Sequence, residues 1–171
     1  METWEAIRAR RNVRSYTDEP IEPAQLDQIL EAARRTPSSR NWQPWDFVVV
    51  TDREQLRELA TVWVGAGHVA GSAATIALVV PVLEAARDAA IAQYDLGQAT
   101  MSIMIAAADL GIGSGHSAVG DQELARRLLG LPEDRLCAYL VALGHPADRP
   151  LVPLTKINRR PFEEVVHRGR Y

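Results

Sequence analysis

Apolar positions along the chain recur with two different periods, and their succession predicts a mixed α and β chain. Over residues 3–11, Trp4, Ile7 and Arg8 fall on one side at helical spacing, which predicts a short first helix. Glu22-Pro23 opens a second helix, with proline in its first turn and an apolar stripe of Leu26, Ile29, Leu30 and Ala33 that ends before Pro37. Phe47-Val48-Val49-Val50 is a short continuous apolar run and predicts a buried strand. Asp52 supplies a cap for a third helix, along which Leu56, Leu59, Ala60 and Trp63 align. Thr75–Val82, rich in β-branched residues, predicts a second buried strand. From Glu84 to Leu110 small and apolar residues cover most sides of a long helix, which places it in the core or at a subunit interface; Gly111 stops it. Asp121 caps a fifth helix carrying Leu124, Leu128 and Leu129, stopped by Gly130, and Arg135–Gly144 is a further strand. The stretch from His145 to Tyr171 holds four prolines, which excludes one regular element and predicts an extended arm.

Composition narrows the class. A chain of 171 residues, 47% hydrophobic and 24% charged, reads as one domain over 1–171 with a core of its own. A net charge of −3 gives no electrostatic case for nucleic acid. No apolar run approaches the ~18 uncharged residues of a membrane span. The N-terminus has no basic-then-apolar leader, and one cysteine excludes an internal disulfide; together these predict a reducing, cytoplasmic setting. The four histidines are scattered and no cysteines pair, so a metal site has no support. Cys137 reads as a small core residue.

Candidate chemistry concentrates in four places. Arg10, Arg11, Asn12 and Arg14 form a dense donor cluster; it suits phosphate, and by itself reads first as a solvated basic helix end. Thr36-Pro37-Ser38-Ser39-Arg40-Asn41-Trp42-Gln43-Pro44-Trp45-Asp46-Phe47 lies between a helix and a strand, where site loops tend to sit. Its prolines stiffen it, and its amides, hydroxyls and indoles suit a flat, polar-edged ligand; the alternative is a well-packed connection whose tryptophans cap the core. Gly111-Ile112-Gly113-Ser114-Gly115-His116 permits close backbone approach to a ligand, or is a turn into a short strand. Thr155–Val166 brings a second basic group, Arg159 and Arg160, together with apolar Pro161-Phe162 and Val165-Val166. A competing signal is Gly65-Ala66-Gly67-His68-Val69-Ala70, which matches a dinucleotide fingerprint. It follows a helical pattern where a strand is required, so it reads first as a helix end and turn.

The ordered set R-R-x-x-R, P-S-S-x-N-x-Q-P-W, a long small-residue helix with G-I-G-S-G after it, and R-R-P-F-E-E-V-V resembles the FMN-dependent nitroreductase family from about Trp4 to His167. The resemblance implies an α+β, three-layer α/β/α fold with a central mixed sheet, a long central helix and an extended C-terminal arm that wraps a second subunit. It implies a homodimer with two shared FMN sites, NADH or NADPH as electron donor, and a small-molecule acceptor such as a nitroaromatic or quinone. Arg10, Arg11, Asn12 and Arg14 would hold the FMN phosphate and ribityl side. Asn12 stands where serine is more usual in the family. Pro37, Ser38, Ser39 and Asn41 would approach the flavin from the partner subunit, Gly113 and its neighbours would line it through backbone, and Arg159 or Arg160 would close on the phosphate.

The chemistry so implied is ping-pong hydride transfer carried by the flavin, with no catalytic side chain and with Arg14 as a charge stabiliser. The chain departs from longer members in its minimal link between the second strand and the long helix, which reduces the cover over the site. That departure motivates an alternative, a flavin-storage or flavin-sensing protein. A third reading is a dinucleotide-binding protein using Gly65, Gly67 and Ala70.

Overall fold

A computed structural model of the chain describes residues 2–155 and 158–171. Lys156 and Ile157, part of the basic tail motif, lie outside the described residues. Among the described residues, five α-helices and four strands follow in the order α1 (Thr3–Ala9), α2 (Pro23–Arg34), β1 (Asp46–Val50), α3 (Arg53–Leu59), β2 (Ala74–Pro81), α4 (Ala86–Asp109), β3 (Gly113–Ala118), α5 (Gln122–Leu129) and β4 (Arg135–Gly144). The helix starts obey local chemistry. Pro23 sits in the first turn of α2 behind a Glu22–Gln25 capping box. The side chains of Asp52 and Asp121 accept the Gln55 and Leu124 backbone N–H at 2.8 and 2.9 Å.

The strands form one sheet in the order β1-β2-β4-β3, antiparallel throughout. The parallel component of the expected mixed sheet is a lone bridge between Asn12 and Ser114. β2 is buried at seven consecutive positions, because both of its faces are covered. Ile76, Leu78 and Val80 pack with Ile29 and Ala33 of α2 and with Leu96, Ala99 and Ile103 of α4. Ala77 faces the opposite layer, with Leu56 and Leu59 of α3 and Ala125 of α5. The result is a sheet between two helical layers.

A bulge in β4 exchanges its faces. Leu78 pairs with Tyr139 but Val79 pairs with Cys137, so Ala138 is the extra residue. Val141 and Leu143 therefore point to the α2/α4 layer, while Cys137, also an odd-numbered position, points to the α3/α5 layer. Burial there pushes the Cys137 thiol up to about 12.

Three expectations need correction. α1 ends at Ala9 and buries Ala6 and Ala9, while Trp4 and Ile7 face outward. α3 ends at Leu59, so Trp63 is not on its stripe; it lies in the following turn, exposed. Trp45 is buried and stacks on Phe47, centroids 6.4 Å apart, so only Trp42 of the loop's two tryptophans presents a substantial face to a ligand. Beyond β4 the tail is largely exposed, including Phe162, Val165 and Val166. Among the described residues no helix is long and apolar enough to cross a membrane.

Candidate functional site

Residues 10–17 run as an extended strap along β3 and the end of β4. The Val13 N–H donates to the Ser114 carbonyl at 2.9 Å, and the Thr17 N–H to that of His145 at 2.9 Å. Extended chain alternates its side chains, so Val13 turns inward and is buried while Asn12 and Arg14 turn outward. The inner seat exists because β3 lacks side chains there. A Cβ on Gly113 would lie 2.8 Å from the Val13 side chain, and one on Gly115 would lie 2.3 Å from the Val13 carbonyl oxygen. The Tyr16 hydroxyl closes the strap by donating to that same oxygen at 2.7 Å, and burial drives its phenol far above the ordinary value.

This seat divides the arginine cluster. Arg11 leaves the others: its guanidinium donates to the Asp148 carboxylate and to the Arg149 carbonyl, each at 2.7 Å. The ion pair holds the Asp148 carboxyl below the usual carboxylate range. Arg10 lies against α4, its Nη1 3.9 Å from the Met104 sulfur. Beside Arg14, the His68 Nε2 is 3.2 Å from the Gly115 carbonyl. Burial pushes the His68 pKa down, the Arg14 charge adds to this, and the Gly115 carbonyl opposes it.

The loop before β1 is pinned to α4 at two points. The buried Thr36 hydroxyl donates to Ser102 at 3.0 Å, and the Ser39 N–H donates to the Asp95 carboxylate at 2.9 Å. Asp95, 2% exposed, also accepts from Gln98 at 3.3 Å. Ser38 accepts the Gln43 N–H at 2.8 Å, tightening a 3-10 turn over Ser39–Asn41. Arg40, Asn41 and Gln43 all hold positive φ, at 54°, 57° and 53°. Such strain, on the order of 1–3 kcal/mol per residue, persists only where surrounding contacts fix it, and concentrates at ligand clamps. Asp95 escaped the sequence reading. Its one signal is a lone carboxylate between Ala92 and Leu96 in a helix of small and apolar residues.

The two donor groups stand apart. Arg10 meets α4 at Met104, close to the Ser102 that holds the start of the loop at Thr36, whereas the strained turn is held at Asp95, nine positions from Met104, or about 13 Å along the helix at its standard rise. The cavities lined by loop residues contain none of Arg10, Arg11, Asn12 or Arg14. Arg159 and Arg160 stay within their own tail segment: Arg159 donates to the Asn158 carbonyl, and Arg160 contacts Glu164. Gly113 is buried under Val13, so its missing side chain already has a packing cause.

The dinucleotide reading fails on context. Gly65 follows α3 and a turn, and Gly67–Gly71 is a 3-10 turn leading into β2, whereas the fingerprint requires strand before and helix after. Among the described residues no group of three or more His, Cys, Asp or Glu is placed to hold a metal ion.

Comparison with known proteins defines the class. The family model described as "Nitroreductase family" matches this chain over residues 7–67 and 63–145. An Archaeoglobus fulgidus protein assigned as an NADH dehydrogenase/NAD(P)H nitroreductase is 34% identical over 158 residues, covering 86% of this chain and 87% of its own. The FMN reductase [NAD(P)H] of Bacillus subtilis is 31% identical, covering 99% and 74%. The solved structure of the Vibrio harveyi NADPH:FMN oxidoreductase, complexed with NAD+, superposes with a TM-score of 0.85 at 29% identity, over 99% of this chain and 77% of that one. The chain belongs to the nitroreductase family.

Proposed function

We propose that this chain is an FMN-dependent oxidoreductase that takes electrons from NADH or NADPH and reduces electron-poor acceptors such as nitroaromatics and quinones, as a single-domain subunit of a homodimer. The observation that supports this best is the separation of the strap donors from the strained loop along α4. Each is half of a flavin site, and a second copy supplies the missing half.

The donor sets fit the cofactor. Asn12 and Arg14 project from a strap whose back is closed by Val13, with Arg10 beside them, and guanidinium forks match a phosphate. Arg11 is engaged at Asp148, so its role is to hold the tail root. Pro37, Ser38, Ser39 and Asn41 of the second copy, kept in place by Asp95, offer a stiff polar edge to the isoalloxazine ring. The tail then lies on the partner through Phe162, Val165 and Val166, which brings Arg159 and Arg160 toward the phosphate. FMN, when bound, supplies the redox chemistry, accepting two electrons from the nicotinamide and passing them to the acceptor. Arg14 adds positive charge where negative charge accumulates, and solvent supplies protons.

The test is the visible spectrum of the purified protein before and after anaerobic NADH or NADPH. A flavin band that bleaches, and returns on adding a nitroaromatic, supports the enzyme. A band that persists points to storage or sensing, and no band after added FMN overturns the flavin reading. Gel filtration at twice the 18.9 kDa chain mass supports the dimer.

A further inference from the structure

Two adjoining cavities, of about 570 and 370 Å³, lie between the 37–42 loop and the first half of α4 and share Ser39, Arg87 and Ile91 as walls. The smaller is lined by Arg40, Arg87, Trp42, Ile91 and Asp88 besides Ser39. Among the described residues neither Arg40 nor Arg87 has an ion pair or a side-chain hydrogen bond, although both line the same cavity. Two unpaired guanidiniums on one wall repel each other and favour an anion between them. Asp88 is the acid of that wall and offsets part of their charge. Asp95, in the larger cavity, already accepts from Ser39 and Gln98. Trp42, 41% exposed, and Ile91 give the same cavity an apolar surface suited to a ring. Arg40 belongs to this wall because the loop holds it in the left-handed region at φ 54°.

We infer that this groove selects the acceptor: an aromatic ring that carries a fixed anion, such as a sulfonate or carboxylate, with the ring against Trp42 and Ile91 and the anion on Arg40 and Arg87. The inference rests on the flavoenzyme reading, since the groove borders the loop assigned to the flavin. It makes Arg40 and Arg87 specificity residues for substrate charge.

The experiment compares FMN-loaded protein acting on 4-nitrobenzenesulfonate and on the uncharged 4-nitrobenzenesulfonamide. The protein as isolated should favour the sulfonate in kcat/KM. Arg87→Gln and Arg40→Gln should each lower the sulfonate-to-sulfonamide ratio about tenfold, the scale of one charge-assisted hydrogen bond, and Asp88→Asn should raise it. An unchanged ratio in both arginine variants overturns the inference. So does a change confined to the NADPH-to-NADH ratio, which would assign the arginines to the donor. Calorimetric binding of benzenesulfonate to the purified protein, whatever its flavin content, separates the two readings. Arginine-dependent binding without any flavin band would leave the groove standing and sink the flavoenzyme. A bleaching flavin band with arginine-independent binding would do the reverse.

Discussion

The Asp95 carboxylate accepts the Ser39 backbone N–H at 2.9 Å, joining the middle of α4 to a loop 56 positions earlier in the chain. A carboxylate that is 2% exposed holds this geometry because Ser39 and Gln98 both donate to it. It is a positioning residue for a loop with three strained backbones. Asp95→Ala leaves the Ser39 N–H without its acceptor, and the variant should lose about 1–3 kcal/mol of stability. Its FMN affinity should fall by about tenfold or more, measured by flavin fluorescence; unchanged affinity would remove Asp95 from the site.

Arg11 and Arg14 should separate cleanly in mutation. Arg14→Ala should lower the ratio of FMN to riboflavin affinity at least tenfold, on the scale of one charge-assisted hydrogen bond. Arg11→Ala should leave that ratio near its starting value and instead free the tail root from Asp148, read as faster proteolysis near residue 148. Equal losses of FMN selectivity in both variants would contradict the division that Val13 imposes.

Gly115→Ala places a Cβ 2.3 Å from the Val13 carbonyl oxygen, which is backbone and cannot rotate away. Strap or strand must shift, at about 1–3 kcal/mol for a small-to-large change in a packed region. Thermal unfolding should show a lower midpoint, accompanied by weaker FMN binding because Asn12 and Arg14 ride on the strap. A midpoint equal to that of the parent would show that the strap yields freely.

His68 gives stability a defined pH dependence. Its folded pKa lies below the unfolded value because burial disfavours the charged ring. Between those two values the unfolded chain binds the extra proton, so stability rises with pH there and is lost as pH falls below about 6.5, the ordinary histidine value. Arg14 and His116 face the ring and act in the same direction. His68→Gln should flatten this part of the denaturation-midpoint profile between pH 7 and 5; a profile identical to the parent would exclude His68 as its source.

The amino-acid sequence by itself determined where most elements begin and end. Glu22, Asp52 and Asp121 start helices through bonds to residues three positions away, Gly130 closes α5, and the β-branched runs of β1 and β2 favour strand. These are short-range effects, and a linear pattern carries them. The same pattern placed Arg10–Arg14 and Pro37–Asn41 as the chemistry-bearing stretches. Only the tertiary structure decided how they divide. Arg11 departs from Arg10 and Arg14 because Val13 seats on Gly113, a contact between residues 100 positions apart. Trp45 turns inward because it packs into the α2/α4 core cluster, while Trp42, in the turn held at Ser39, stays outward. Cys137 faces α5 because the bulge at Ala138 reverses the parity of β4. Each of these depends on which distant surface a residue meets, and a periodicity along the chain has no term for that.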